Sequence, residues 1–241
     1  MNSLKIKAIL FDLDGTLVDS IRDIATSINL TLRYYGYKPI NLNQCTRHIG
    51  DGINKSVSRA FGESVHNDEY YSWDNEFLSR AVKKYKEYYS EHLFDTTTPY
   101  PMIKETLSDL NGISMAVISN KAYNYTFEIL KHFNLHKYFN IILGGDSLEV
   151  KKPNPEPLLY ILRKFSVKTD EAIMVGDSDK DILAGKAAKT FTCAVTYGMR
   201  SEDELRKLNP DFMIHCFSEL LDLAGIKKSG KCLKRGLLEK T

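Results

Sequence analysis

Nowhere does this 241-residue chain carry an uninterrupted apolar run of the roughly 18 residues that a membrane-spanning helix needs, so no membrane span is expected. Cysteine is sparse. Cys45, Cys193, Cys216 and Cys232 are scattered, with no CxxC pair and no His-containing cluster at metal-ligand spacing. That pattern argues against a zinc site and suits a reducing cytosol. Net charge is also small, at +2, which argues neither for nor against a polyanionic partner; no nucleic-acid or membrane partner is expected. Lys5 and Lys7 run straight into a short apolar strand, without the layout of a secretory signal, and the expected location is cytoplasmic. There is no internal repeat and no low-complexity tract.

What is present suffices for a buried core. Hydrophobic residues make up 43% of the chain, and a chain of this length needs neither disulfides nor a structural metal to fold. Charge is unevenly spread. Residues 226–241 form a basic tail, with Lys227, Lys228, Lys231, Lys234, Arg235 and Lys240 against Glu239, and the remainder is mildly acidic. A solvated end is the ordinary reading of such a tail.

Short apolar runs recur at Ile6–Phe11, Met115–Ile118, Ile141–Leu143, Ala172–Val175, Thr192–Val195 and Phe212–Ile214. The later ones alternate with helical stretches at Met102–Leu110, Ala122–Phe133, Glu156–Phe165, Lys180–Ala188 and Glu202–Leu208. This alternation predicts an α/β fold, a Rossmann-like parallel sheet covered on both faces, with ligands beyond the carboxyl ends of its strands. Residues 20–95 break the pattern. Ile21, Ile24, Ala25, Ile28 and Leu32 fall at helical spacing, as do Phe77, Ala81, Tyr85 and Tyr88. The segment reads as a helical insert after the first strand, and its aromatic stripe as packing. The Pro-containing return at Thr96–Pro101 suits a hinge, so the expected layout is a core of 1–19 and 96–225 under a helical lid of 20–95.

The first strand ends in Asp12-Leu13-Asp14-Gly15-Thr16. Side chains two apart on a strand face the same way, about 7 Å apart, and two carboxylates so placed repel each other and resist burial. A phosphoryl group fits between them, and Gly15 lets the backbone turn close to it. The second run ends in Ser119-Asn120-Lys121, donors suited to phosphate oxygens, although such residues also serve as ordinary helix caps. Lys152 precedes Pro153 in a Pro-rich loop that can aim it inward, where one charge pair at 4 Å is worth about 4 kcal/mol at an effective dielectric near 20, although taken alone Lys151-Lys152 reads as a surface pair. Gly176-Asp177-Ser178-Asp179-Lys180-Asp181 ends a fourth run, with Asp177 at a strand end and Asp181 one helical turn on. Carboxylate ligands suit Mg²⁺, which makes clustered acids favourable.

With these four stations in order, the sequence resembles the haloacid dehalogenase superfamily of aspartate-nucleophile phosphatases, and the insert is similar to that family's type-1 cap. The resemblance implies that Asp12 attacks phosphorus and that Asp14 serves as acid and then base. It implies that Asp12, Asp14 (through its main-chain carbonyl), Asp177 and Asp181 hold Mg²⁺, and that Ser119, Asn120, Lys121 and Lys152 hold phosphoryl oxygens beside Gly15 and Thr16. Within the superfamily, SNK at 119–121, KPNPEPLL at 152–159, TYG at 196–198 and RHIGDGINKSV at 47–57 resemble phosphoglycolate phosphatases. That places Gly50 and Gly52 in a loop over the site, with Arg47, His48 and Lys55 as candidate cations for a substrate carboxylate. The expected partner is a small phosphorylated metabolite, acted on by a monomer or homodimer. Three alternatives remain open: a phosphatase for nucleoside monophosphates or pyrophosphate, a β-phosphoglucomutase-like transferase, and a phosphorylated signalling receiver. Gly176, where such mutases carry an acid, favours hydrolysis.

Overall fold

The structure is a computed structural model that describes residues 5–66 and 71–226. The basic tail therefore lies outside the described residues from 227 onward. Its strands are β1 (Ala8–Phe11), β2 (Val18–Asp19), β3 (Thr98–Pro99), β4 (Ser114–Ile118), β5 (Ile141–Leu143), β6 (Ala172–Gly176), β7 (Phe191–Val195) and β8 (Phe212–Ile214). Six of them form one parallel sheet in the order β5-β4-β1-β6-β7-β8. Counted by themselves these six run 3-2-1-4-5-6, the doubly wound order whose ligand crevice opens where the winding reverses, beside β1.

The apolar runs form these strands because both sheet faces are buried. Ile9, Phe11, Met115, Val117, Ile173 and Val175 enter one core layer. Their neighbours Ala8, Leu10, Ala116, Ile118, Ala172 and Met174 enter the other. The alternation is the two-residue pleat, and burial on both sides removes any need for polar residues within the strand.

Four helices intervene between β2 and β3: α1 (Ile21–Tyr34), α2 (Leu42–His48), α3 (Ile53–His66) and α4 (Asn75–Glu91). The sequence periodicity anticipates α1 and α4. Helix α2 is less visible, but Asn41 and Gln44 mark its start as a reciprocal capping box, each side chain accepting from the other's backbone N–H at 2.9 and 2.8 Å. The expected stripe on α4 shifts: Tyr89 is buried, whereas Tyr88 stays partly exposed. The partners change along the helix. Phe77 packs on Tyr35, Phe61 and Trp73, but Tyr89 meets Tyr125 of the sheet domain, which rotates the buried face.

The chain continues with α5 (Ile103–Asp109), α6 (Tyr123–His132), α7 (Glu156–Phe165), α8 (Asp179–Ala188), α9 (Glu202–Lys207) and α10 (Leu220–Leu223). Leu107, Leu130 and Leu221 seat α5, α6 and α10 on one core layer. Leu158, Leu162 and Ala184 seat α7 and α8 on the other. The two crossings into and out of the helical insert are tied together at Asp23. This buried carboxylate accepts the backbone N–H of Thr96 (2.9 Å) and Thr97 (2.8 Å) and both threonine hydroxyls (2.6 Å each). Burial raises its pKa, but these hydrogen bonds outweigh that and hold it below the usual carboxylate value.

Candidate active site

Three strand ends bring the sequence motifs together. Asp12 follows β1, Ser119 to Lys121 follow β4, and Asp177 follows β6. Carboxylate oxygens of Asp12, Asp177 and Asp181 all lie within 4.8 Å of one another, and all three residues are buried. Lys152 reaches among them, donating to Asp12 Oδ1 at 2.8 Å and Asp181 Oδ1 at 2.6 Å. The Lys152–Pro153 peptide is cis. Asp181 also accepts the Ser178 N–H (3.1 Å) and hydroxyl (2.6 Å), so one side chain caps the start of α8 and anchors the lysine.

The electrostatics follow from burial. It pushes the Asp12 carboxyl up to about 7 despite the attraction of Lys152, with Asp181 and Asp14 adding to the rise. Asp177 is likewise raised, by burial and by the neighbouring Asp12 and Asp181. Burial pulls Lys152 down, but Asp12 and Asp181 outweigh it and keep it protonated. Lys152 alone donates into the cluster of Asp12, Asp177 and Asp181 among the described residues, and it reaches only Asp12 and Asp181. Oxygen donors with this unbalanced charge fit a divalent cation, which reverses the penalty that burial places on them.

Glycines make the crowding possible. Gly15 has φ +85, and a Cβ there would lie 2.1 Å from Asp177 Oδ2. Gly198 is as tight, its Cβ position falling 2.3 Å from Asp177 Cβ. At Gly176, a Cβ would meet Asp181 Cγ at 2.2 Å, so the space an acidic residue would need is filled by Asp181. Thr16 is buried behind Asp177, its hydroxyl 3.4 Å from Asp177 Oδ1, rather than on the cavity wall. Asp14 turns to a different pair of donors: Lys121 Nζ at 2.9 and 2.8 Å to its two oxygens, and Ser20 Oγ at 2.5 Å. Lys121 also lies 4.8 Å from the Tyr89 ring centroid, a cation–π contact from the insert.

The cavity between sheet and insert offers about 70 Å³ to water-sized atoms. Its floor is Asp12, Asp14, Ser119, Lys152 and Asp177, and its roof includes Ile49, Gly50, Gly52, Ile53, Tyr85 and Tyr89. The aromatic stripe on α4 therefore packs and lines the site at once. The candidate insert cations lie elsewhere. Arg47 is exposed and paired with Glu63 at 3.3 Å, and His48 is fully buried, with Nε2 3.5 Å from Glu63. Lys55 is exposed and outside the lining. The cations that reach the cavity beyond the expected ones are Lys180 and Arg200. Arg200 follows the TYG motif and donates to the carbonyls of Thr46 (2.9 Å) and Ile49 (3.1 Å) on the insert. Asn120 is likewise engaged, donating to Gly50 O at 2.8 Å and Lys152 O at 2.9 Å.

A sequence model of the Haloacid dehalogenase-like hydrolase family matches residues 9–195, the stretch that carries all four stations. The chain belongs to that family. This haloacid dehalogenase-like hydrolase is 36% identical over 228 residues to a phosphoglycolate phosphatase of Vibrio parahaemolyticus, covering 94% of this chain and 99% of the relative. A phosphoglycolate phosphatase of Neisseria meningitidis is 38% identical, covering 90% of this chain and 93% of the relative. Among solved structures, a predicted phosphoglycolate phosphatase from Haemophilus somnus superposes with a TM-score of 0.84 at 31% identity, covering 91% of this chain and 98% of the other.

Proposed function

We propose that this hydrolase is a Mg²⁺-dependent phosphatase of small phosphate monoesters, with 2-phosphoglycolate as substrate and an aspartyl phosphate on Asp12 as intermediate. The observation that carries the reading is the meeting of Asp12, Asp177, Asp181 and Lys152 in one buried pocket at the strand ends. Relatives named phosphoglycolate phosphatase over nearly their full length support the substrate. Mg²⁺ held by Asp12, Asp177 and Asp181 would neutralise phosphoryl oxygens and keep Asp12 ionised.

The residues then divide the work. Lys152 orients Asp12, whose free oxygen attacks phosphorus as the bond to the ester oxygen breaks. Asp14 gives that oxygen its proton, then takes one from the water that attacks the aspartyl phosphate, which releases inorganic phosphate and restores the Asp12 carboxylate. Ser20 and Lys121 hold Asp14 in place for both steps. The Ser119 hydroxyl on the cavity wall donates to a phosphoryl oxygen. Helices α1 to α4 act as a lid that excludes bulk water during transfer.

Phosphate release from a panel of phosphoglycolate, AMP, pyrophosphate and sugar phosphates, with and without Mg²⁺, tests the proposal. Release should require the ion and be fastest with phosphoglycolate, and Asp14→Asn should lose about a hundredfold or more in turnover. A preference for AMP or pyrophosphate would overturn the substrate, and undiminished turnover in Asp14→Asn would remove that residue from its role.

A further inference from the structure

Among the described residues, four cations line the cavity: Lys121, Lys152, Lys180 and Arg200. Three of them are committed to carboxylates. Lys121 binds Asp14 at 2.8 Å, Lys152 binds Asp12 and Asp181 at 2.8 and 2.6 Å, and Lys180 binds Asp179 at 2.6 Å with Asp51 at 3.5 Å. Arg200 differs. Its two hydrogen bonds go to the neutral carbonyls of Thr46 and Ile49; it attracts Asp177 and Glu204 at longer range but bonds to neither carboxylate among the described residues. A guanidinium carries more N–H donors than these contacts use, in a planar fork that matches a carboxylate.

We infer that Arg200 is the specificity-determining residue that binds the carboxylate of the substrate, an inference that rests on the proposed phosphoglycolate reading. Its position fits that task. The preceding residue, Met199, donates its N–H to Asp177 Oδ2 at 2.7 Å. One short piece of backbone therefore fixes the span between the phosphoryl centre and the guanidinium, so the site measures the length of the ester. The two carbonyls that aim Arg200 belong to Thr46, near the C-terminal end of α2, and to Ile49 just beyond it; the Thr46 carbonyl also accepts the Ile49 N–H at 3.4 Å. The fork is thus presented only when the insert rests on the sheet domain, which makes recognition of the carboxylate conditional on closure. The other candidate cations of the insert do not compete for this role among the described residues: Arg47 and His48 turn to Glu63 instead.

Arg200→Gln separates this role from a purely structural one when phosphoglycolate is compared with 2-hydroxyethyl phosphate, an ester of the same length without the carboxylate. The expected result is a loss in kcat/KM for phosphoglycolate about tenfold or more larger than the loss for the hydroxyethyl ester, which shares whatever Arg200 contributes to seating the insert. Arg200→Lys, which keeps the charge and loses the fork, should retain part of the preference and serves the same comparison if the Gln variant does not fold. Equal losses on both esters would overturn the assignment and leave Arg200 as a contact that only holds the insert. A wild-type enzyme that does not favour phosphoglycolate would instead overturn the substrate reading, and the carboxylate assignment with it.

Discussion

Asp12 shows how a single residue can be assigned from sequence and still owe its chemistry to its surroundings. Its place after an apolar run marks it as a carboxylate at a strand end, but only the fold supplies the burial and the Asp181 contact that raise its pKa to about 7. A divalent cation must displace that proton, so its affinity should depend on pH. Below about pH 7, Mg²⁺ affinity should fall by up to about tenfold per unit as the proton competes, and above it should level off. Calorimetric titration of Mg²⁺ from pH 6 to 8, in buffers of different ionisation enthalpy, should show this slope together with proton release on binding. A flat profile without proton release would mean that Asp12 is already ionised. The glycines around Asp177 belong to the same scale: 15, 176 and 198 lack side chains because carboxylates occupy the space.

At the scale of elements, the hinge and α4 carry the most information. The sequence marks a hinge near Thr96–Pro101 through its prolines, without naming its lock. That lock is Asp23, on the first turn of α1, satisfied by four donors from Thr96 and Thr97. Asp23→Asn places an amide group against donors and should cost about 1–3 kcal/mol at pH 7, read as a lowered midpoint in urea unfolding. Because the folded-state pKa of Asp23 is depressed, its contribution is fully present above the unfolded value near 4 and is lost as the pH falls through the folded value. The gap between wild type and variant should therefore narrow in acid. An equal gap at pH 3 and pH 7 would show that the charge is not what matters. Helix α4 makes the same point about packing: its apolar period predicts a buried stripe, but the exchange of Tyr88 for Tyr89 follows from a change of neighbours along its length.

For the whole molecule, the insert loop is held by three separate loops of the sheet domain. The consecutive carbonyls of Ile49, Gly50 and Asp51 accept from Arg200 (3.1 Å), Asn120 (2.8 Å) and Lys151 (2.7 Å). Each donor sits beside a residue of the site: Met199 on Asp177, Ser119 at the cavity wall, and Lys152 on Asp12. Closure and the arrangement of the site are thereby linked. Lys151→Met removes one donor without touching the cavity floor. It should speed hydrogen exchange of residues 49–53 by about tenfold, the equivalent of one charge-assisted hydrogen bond, while leaving exchange in β1 unchanged. Unchanged exchange in that loop would show that Lys151 does not hold it.

The strand ends, the four stations and the helical insert are legible in the sequence because each is written locally: apolar runs for strands, helical spacing for α1 and α4, and chemistry-bearing residues at the junctions. The linear order alone determined that acids and cations would face one crevice of a parallel sheet. Which cation serves which acid was decided only in three dimensions. Lys121 went to Asp14, and Arg47 and His48 turned away to Glu63. Arg200 came into the cavity from two residues beyond the TYG motif, a position that the motif itself does not mark. Pairing depends on distances between segments far apart in the chain and on what else is buried there, and neither quantity is contained in the spacing of neighbours along it.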